Sequence, residues 1–92
     1  MLQTPESFSL GYNYPNPFNA ETVIPFQVKS PCRVIFKVYD LRGREVLRVL
    51  DGEYAAGSYR VRLNNSVLTS SVYFYKIRMI EFSAVRKMVV LE

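Results

Sequence analysis

The chain has 92 residues, a formal net charge of +4, and a composition that is 49% hydrophobic and 14% aromatic. This length is that of one small domain, and this hydrophobic content excludes intrinsic disorder. Because tyrosine, phenylalanine and valine are abundant, the composition favours strands over helices.

The first part of the chain predicts one weak strand and one strong strand. Residues 1–12 are a linker or a first edge strand, since Phe8 and Leu10 alternate with serines. Residues 22–28 (TVIPFQV) are rich in β-branched and aromatic types and predict a strand. Pro25 lies inside this strand and cannot donate a backbone hydrogen bond, which places the strand at a sheet edge or gives it a bulge.

The middle of the chain predicts a hairpin. The clearest strand is residues 33–39, in which alternate apolar residues face one way: Val34, Phe36 and Val38. Residues 40–44 (DLRGR) predict a tight turn in which Gly43 supplies a positive φ. Residues 45–50 return as an antiparallel strand, and the pair Asp51 and Gly52 predicts the next turn.

The last third predicts three more strands. Residues 58–63 (SYRVRL) alternate between apolar and arginine positions, as in a half-buried strand. Val67 and Leu68 are expected to fill the core from a loop. Residues 72–79 predict a strand whose core face holds four residues: Tyr73, Tyr75, Ile77 and Met79. Residues 83–91 are the last strand.

These segments together predict an all-β fold: an Ig-like antiparallel β-sandwich of about seven strands with Greek-key connections. A small closed barrel is the alternative. No apolar run approaches the ~20 residues of a membrane helix. Residues 1–10 lack the basic start and apolar block of a signal peptide. If the domain is exported, we expect an export signal elsewhere, or a chain that is a fragment of a larger precursor.

The residue types that most catalytic sites need are missing. The chain has no histidine, which excludes mechanisms built on imidazole. Cys32 is the only cysteine, so it forms no internal disulfide and has no histidine to activate it. Four carboxylates lie in or beside predicted turns, where they are best explained as turn caps: Asp40, Asp51, Glu53 and Glu81. We therefore expect no enzyme activity, no metal site and no cofactor.

Five basic residues alternate with other residues on the last three predicted strands: Arg60, Arg62, Lys76, Arg78 and Arg86. If those strands are neighbours, the side chains form one basic face for an acidic protein or an anionic glycolipid. Otherwise they are solvated. Nucleic-acid binding needs aromatic residues on the same face for base stacking, and most aromatic residues here have the other parity. We expect no nucleic-acid partner.

Two segments stand out near the ends of the chain. Residues 13–19 (NYPNPFN) hold two prolines that stiffen the backbone and push the residues before them into extended geometry. The asparagines of this segment can bond nearby backbone groups: Asn13, Asn16 and Asn19. Tyr14 and Phe18 are expected to anchor it, so we interpret it as a structural staple. Residues 86–92 (RKMVVLE) form either a last core strand or an edge that a partner recognises by strand addition.

Five segments carry a family resemblance by their order and spacing: residues 13–19, 37–46 (KVYDLRGREV), 55–61 (AAGSYRV), 71–77 (SVYFYKI) and 86–92. Together they resemble the type A C-terminal sorting domain of the type IX (Por) secretion system of Gram-negative bacteria. The resemblance covers the chain from about Leu10 to its end. The sequence is also similar in style to the Ig-like domain of flagellar hook-capping proteins.

The resemblance implies a non-enzymatic secretion signal that forms one domain, residues 1–92, at the end of a larger exported cargo protein. The implied route runs through the periplasm and the outer membrane to the cell surface, where a sortase attaches the cargo, or to the medium. The implied partners are the outer-membrane translocon, shuttle proteins and the sortase. No membrane-spanning segment is expected in the domain itself.

Carried over residue by residue, the family's tail motif assigns recognition to five residues: Lys87, Met88, Val89, Val90 and Leu91. The family's VYD and G-R motifs map to a structural turn: Val38, Tyr39, Asp40, Gly43 and Arg44. The alternative function is a passive Ig-like spacer, or a carbohydrate- or protein-binding module of an extracellular enzyme. A carbohydrate-binding module predicts exposed aromatic residues in a row on one face.

Overall fold

A computed structural model describes residues 5–91, apart from the side chain of Val67. Within this range there are seven strands: β1 (Ser9–Leu10), β2 (Glu21–Val28), β3 (Cys32–Tyr39), β4 (Glu45–Tyr54), β5 (Gly57–Asn64), β6 (Ser71–Met79) and β7 (Phe82–Val90). One 3₁₀ turn, Asn65–Val67, joins β5 to β6. None of the helical structure in the described range is long and apolar enough to cross a membrane.

The strands form two antiparallel sheets that pack face to face. One sheet has the order β1-β2-β5 and the other the order β4-β3-β6-β7. The chain crosses between the sheets after β2, β4 and β5, so that β6 returns to pair with β3 in a Greek-key connection. The predicted all-β sandwich is therefore confirmed, and the described strands do not close into one barrel.

The core between the sheets follows the alternation that the sequence predicted for β3 and β6. All the expected inward residues are buried: Val34, Phe36, Val38, Tyr73, Tyr75, Ile77 and Met79. The rings of Phe36 and Tyr75 stack with their centroids 5.8 Å apart. Leu68 is buried, which confirms that it fills the core from a loop. The matching prediction for the Val67 side chain lies outside the described part of the chain.

The prediction that β2 is an edge strand or carries a bulge is wrong. Strand β2 lies between β1 and β5, and its ladder with β5 is continuous from Glu21 to Val28. Pro25 is tolerated because its missing N–H would face Gly11, just beyond the end of β1, and the Gly11 carbonyl has another donor. The Pro25 carbonyl accepts a hydrogen bond of 2.7 Å from Gly11, whose own carbonyl accepts one of 3.0 Å from the Tyr75 hydroxyl.

The predicted turn at Asp51 and Gly52 is also wrong. Both residues lie within β4, which pairs with β3 as far as Tyr54, and the chain turns at residues 55–56. The Asp51 carboxylate does not cap a turn because it accepts hydrogen bonds from Arg33 (2.6 and 2.8 Å) and Arg48 (3.1 Å). Side-chain partners on β3 and β4 thus keep this acidic residue in an extended strand.

The single basic face expected from the late strands does not form. Arg60 and Arg62 lie on β5, on the outer side of the three-stranded sheet, whereas Lys76 and Arg78 lie on β6 in the opposite sheet. The crossover between β5 and β6 separates the two pairs. Arg86 has the inward parity of β7, and its guanidinium lies 4.5 Å from the centre of the Tyr12 ring.

Candidate functional site

The structure joins the two conspicuous end segments of the sequence. We call residues 13–19 the strap and residues 87–91 the tail. Strand β7 is the outer strand of its sheet, and the strap pairs with the outer edge of the tail. The Phe18 N–H donates to the Val89 carbonyl at 3.0 Å, and the Leu91 N–H donates to the Phe18 carbonyl at 2.8 Å. These two hydrogen bonds form a short parallel bridge, which we call the clasp.

The Asn16 side chain extends the clasp by one more position. Its Oδ1 accepts a hydrogen bond of 3.0 Å from the Val89 N–H, and its Nδ2 donates to the Lys87 carbonyl at 3.5 Å. An amide side chain offers one acceptor and two donors, so it can replace a peptide group at a strand edge. The Asn16 side chain therefore makes the two hydrogen bonds with Val89 and Lys87 that a peptide group at this position would make.

The two aromatic residues of the strap behave differently. Phe18 is 2% exposed and lies in the core, which confirms its predicted burial. Tyr14 is 80% exposed, so the prediction that its ring anchors the strap is wrong. The backbone of Tyr14 provides the attachment instead, through two hydrogen bonds of 2.9 Å with Val23. This pairing directs the ring to the outer face of the three-stranded sheet, because opposite residues in a bridge share a face.

Asn13 fixes the start of the strap from a buried position. Its Nδ2 donates to the Thr22 hydroxyl at 3.2 Å and to the Pro15 carbonyl at 3.3 Å, and that hydroxyl donates to the same carbonyl at 2.8 Å. The Asn13 N–H donates to the Tyr75 hydroxyl at 3.0 Å. Burial raises the pKa of Tyr75, against the opposing effect of this hydrogen bond. The strap is thus tied to both sheets.

The far end of the strap is held from the loop after β5. The Asn19 carbonyl accepts a hydrogen bond from the Asn65 side chain, and the Ala20 carbonyl accepts one of 3.0 Å from the Asn65 N–H. The peptide bonds before Pro15 and Pro17 are both cis. The side chains of Asn13 and Asn16 bond backbone carbonyls as expected. Asn19 does not follow the expectation, because its own carbonyl accepts from the Asn65 side chain.

The tail divides its five residues between the core and the surface. Met88 is fully buried and Val90 is 1% exposed, so both belong to the hydrophobic core. Lys87 and Leu91 are exposed, and Val89 is half-buried. A partner that meets the folded domain can therefore touch only the alternate side chains of the tail.

The predicted turn at residues 40–44 follows Tyr39, which shares a row of the four-stranded sheet with Lys87 of the tail. The Asp40 carboxylate accepts hydrogen bonds from the N–H groups of Arg42 (2.9 Å) and Arg44 (3.0 Å) and from the Arg44 guanidinium (2.9 Å). The Arg44 backbone N–H is the largest cause of a lowered Asp40 pKa, and Gly43 has a φ of 80°. The Tyr39 side chain before this turn is half-buried.

The strand register carries this motif across the sheet to the tail. Tyr39 lies opposite Phe74 on β6, and Phe74 lies opposite Lys87 on β7. In the next row Val72 lies opposite Val89. Directly opposite residues share a face, so these five half-buried or exposed side chains form one patch on the outer face of the four-stranded sheet. We call it the tail patch. Reasoning from the sequence missed Phe74 and Val72, whose only signal was their outward parity on β6.

The residues of the clasp and the tail patch are of types that bind another protein rather than types that hold a metal ion. Among residues 5–91, no group of three or more Cys, Asp or Glu residues is placed to hold a metal ion. Cys32 is buried at the start of β3. The clasp already pairs the backbone groups at the edge of the tail. The tail patch offers apolar area and one lysine, which suit recognition by another protein.

A known protein family matches the part of the chain that runs from the strap to the tail. Residues 13–91 match the family described as "Secretion system C-terminal sorting domain". No curated protein and no solved structure matched the chain at a significant level. The family match begins at the first residue of the strap and ends at the last residue of the tail. The chain therefore belongs to the C-terminal sorting domains of the Por, or type IX, secretion system, which are non-catalytic signals on secreted and cell-surface cargo.

Proposed function

We propose that this domain is the address by which the outer-membrane translocon of the secretion system selects its cargo, and that the exposed side chains of the tail are the contact. In this proposal the domain is one part of a larger exported precursor that first reaches the periplasm. Shuttle proteins and a sortase then attach the cargo to the cell surface, or the cargo is released.

The observation that carries the proposal is the clasp. It holds the tail as an ordered strand in which Lys87, Val89 and Leu91 point outward while Met88 and Val90 are buried. A rigid strand presents these side chains in one geometry, so a partner does not have to order them on binding. The tail patch adds apolar area beside Lys87, and apolar and aromatic area is what binding hot spots use.

The clasp also limits how a partner can bind. Strand addition requires unpaired N–H and C=O groups along a sheet edge. Asn16 and Phe18 already occupy those groups at Val89 and Leu91. In the folded state recognition of the tail therefore uses side chains, and strand addition is confined to the earlier part of β7.

Export of a reporter protein tests the proposal. Residues 1–92 are fused to the C-terminus of a fluorescent protein that is directed to the periplasm of a bacterium with this secretion system. We expect the reporter at the cell surface or in the medium. Retention of the unaltered fusion in the periplasm would refute the proposed address.

Two surface variants then test the contact residues. We expect Lys87→Gln combined with Leu91→Ala to leave the reporter in the periplasm, because both exposed side chains of the tail are lost. The matched control is Lys29→Gln combined with Ile80→Ala, since these exposed residues lie in turns away from the tail. Equal thermal melts of the purified domains show that neither pair disturbs the fold. Normal export of the tail variant would remove Lys87 and Leu91 from the proposal.

A further inference from the structure

We infer that the outer face of the three-stranded sheet carries a binding site for an acidic saccharide. The site is a hollow of about 370 Å³ lined by five residues: Tyr12, Tyr14, Val23, Pro25 and Arg60. It lies on the opposite side of the sandwich from the tail patch. The inference is therefore independent of the proposed contact with the translocon.

The strand register explains the shape of the hollow. Val23 and Pro25 have outward parity on β2 and form its floor. Tyr14 is bridged to Val23 and forms one wall, with Tyr12 two residues away, while Arg60 lies opposite Pro25 and forms the other wall. Residues two apart in an extended segment are separated by roughly 6.6 Å. The two tyrosine rings can thus contact neighbouring parts of one ligand.

Both tyrosines combine an exposed ring with a fixed backbone. Their exposed fractions are 71% for Tyr12 and 80% for Tyr14, which are high values for large aromatic residues. The Tyr75 hydroxyl holds the backbone on both sides of Tyr12, at Gly11 and Asn13, and Val23 holds that of Tyr14. The Arg86 guanidinium covers one face of the Tyr12 ring at 4.5 Å. Such ordering before binding lowers the entropy cost of capturing a ligand.

The lining of the hollow identifies the chemical class of the ligand. The face of an aromatic ring is electron-rich, so it attracts the C–H groups on the face of a sugar ring. Arg60 is the one charged residue of the lining, and in residues 5–91 its guanidinium forms no hydrogen bond or ion pair. Arginine binds carboxylate and phosphate groups through paired hydrogen bonds. A sugar with an attached acidic group satisfies both kinds of residue.

The backbone of β2 makes an extended peptide a poorer occupant. A peptide that adds to a sheet needs an open edge. Strand β2 is paired on both sides, by β5 along its length and by β1, Gly11 and Tyr14 on the other side. The hollow therefore offers side chains rather than free backbone groups. A proline-rich peptide binds aromatic grooves without sheet pairing, so the experiment has to distinguish it from an acidic saccharide.

Binding of defined ligands to the purified 92-residue chain tests the inference. The probes are hexagalacturonate, neutral maltohexaose and decaproline, each followed by amide chemical shifts and by calorimetry. We expect hexagalacturonate to bind most tightly and to shift the resonances of residues 12–14 and 60. Absence of saccharide binding at roughly 1 mM would overturn the inference, as would equal affinity for maltohexaose or binding of decaproline alone.

Substitutions locate the site. We expect Tyr12→Ala, Tyr14→Ala and Arg60→Gln each to weaken binding of hexagalacturonate by roughly tenfold, while the thermal melt stays unchanged. The matched controls are Leu41→Ala and Arg78→Gln, which alter exposed residues outside the hollow. An equal loss in Arg78→Gln would show attraction to net charge alone and would overturn the assigned site.

Discussion

Replacing Phe18 by alanine should remove a large share of the stability of the domain. The ring is 2% exposed and packs in the same core as Met88 and Val90, so the change leaves a cavity where the strap meets the tail. Truncation of a buried phenylalanine costs about 3–5 kcal/mol. A domain of 92 residues has a total stability on the order of 5–14 kcal/mol. The variant should therefore lose roughly a fifth or more of the free energy of unfolding.

Urea denaturation followed by circular dichroism measures this loss of free energy. In a thermal melt the melting temperature should fall by at least roughly 10 °C, since about 1 kcal/mol corresponds to 4–8 °C in a domain of this size. Tyr14→Ala is the matched control, because its ring lies in the same strap but is 80% exposed. Its effect should stay within about 0.5 kcal/mol. A loss below about 1 kcal/mol in Phe18→Ala would refute the view that the strap is a structural staple.

Three further predictions follow from the described contacts. Asn16→Ala should cost about 1 kcal/mol and speed hydrogen exchange of the Val89 amide, because that N–H loses its acceptor; unchanged exchange would contradict the clasp. Gly11→Ala should cost about 1–3 kcal/mol, since its Cβ would lie 2.5 Å from the Pro25 Cγ. In a double-mutant cycle Pro25→Ala should relieve part of that cost, and strict additivity would exclude the clash. The pKa values of three carboxylates are lowered, mainly by hydrogen bonds: Asp40 by Arg44, Glu45 by Lys37 and Asp51 by Arg33. These ionised carboxylates therefore stabilise the fold fully above the ordinary pKa values of 3.8 for Asp and 4.5 for Glu. That stabilisation is lost as the pH falls through the lower pKa values of the folded state. Acid titration of the melting temperature should show this decline, and Asp40→Asn should flatten it.

Local periodicity was sufficient to predict the strands that form the centre of the sandwich. In β3 and β6 every second residue is apolar and most charged residues have the other parity, so their buried faces could be assigned from the sequence. The turn at Gly43 was equally local, because a positive φ there favours glycine. Each of these features depends on residues that are close in sequence.

The errors arose where distant contacts outweigh local preference. Asp51 and Gly52 are typical turn residues, yet Arg33 on the neighbouring strand holds Asp51 within β4. Pro25 is typical of an edge strand, but the short length of β1 lets it occupy a central one. Tyr14 was expected to anchor the strap, whereas its bridge with Val23 turns its ring outward. No local pattern shows that Asn16 contacts the tail 73 residues later.

The clasp also determines which experiments can separate recognition from folding. Deleting residues 87–92 would remove Met88 and Val90 from the core and would leave Phe18 without its backbone partners. Loss of export after such a deletion is therefore expected whether the tail is a contact or only a structural strand. Substitutions at Lys87 and Leu91 keep every clasp hydrogen bond, because Lys87 contributes its carbonyl and Leu91 its N–H. Only these side-chain changes test recognition by itself, and Phe18→Ala provides the complementary case, in which the fold is weakened and the exposed tail residues are unchanged.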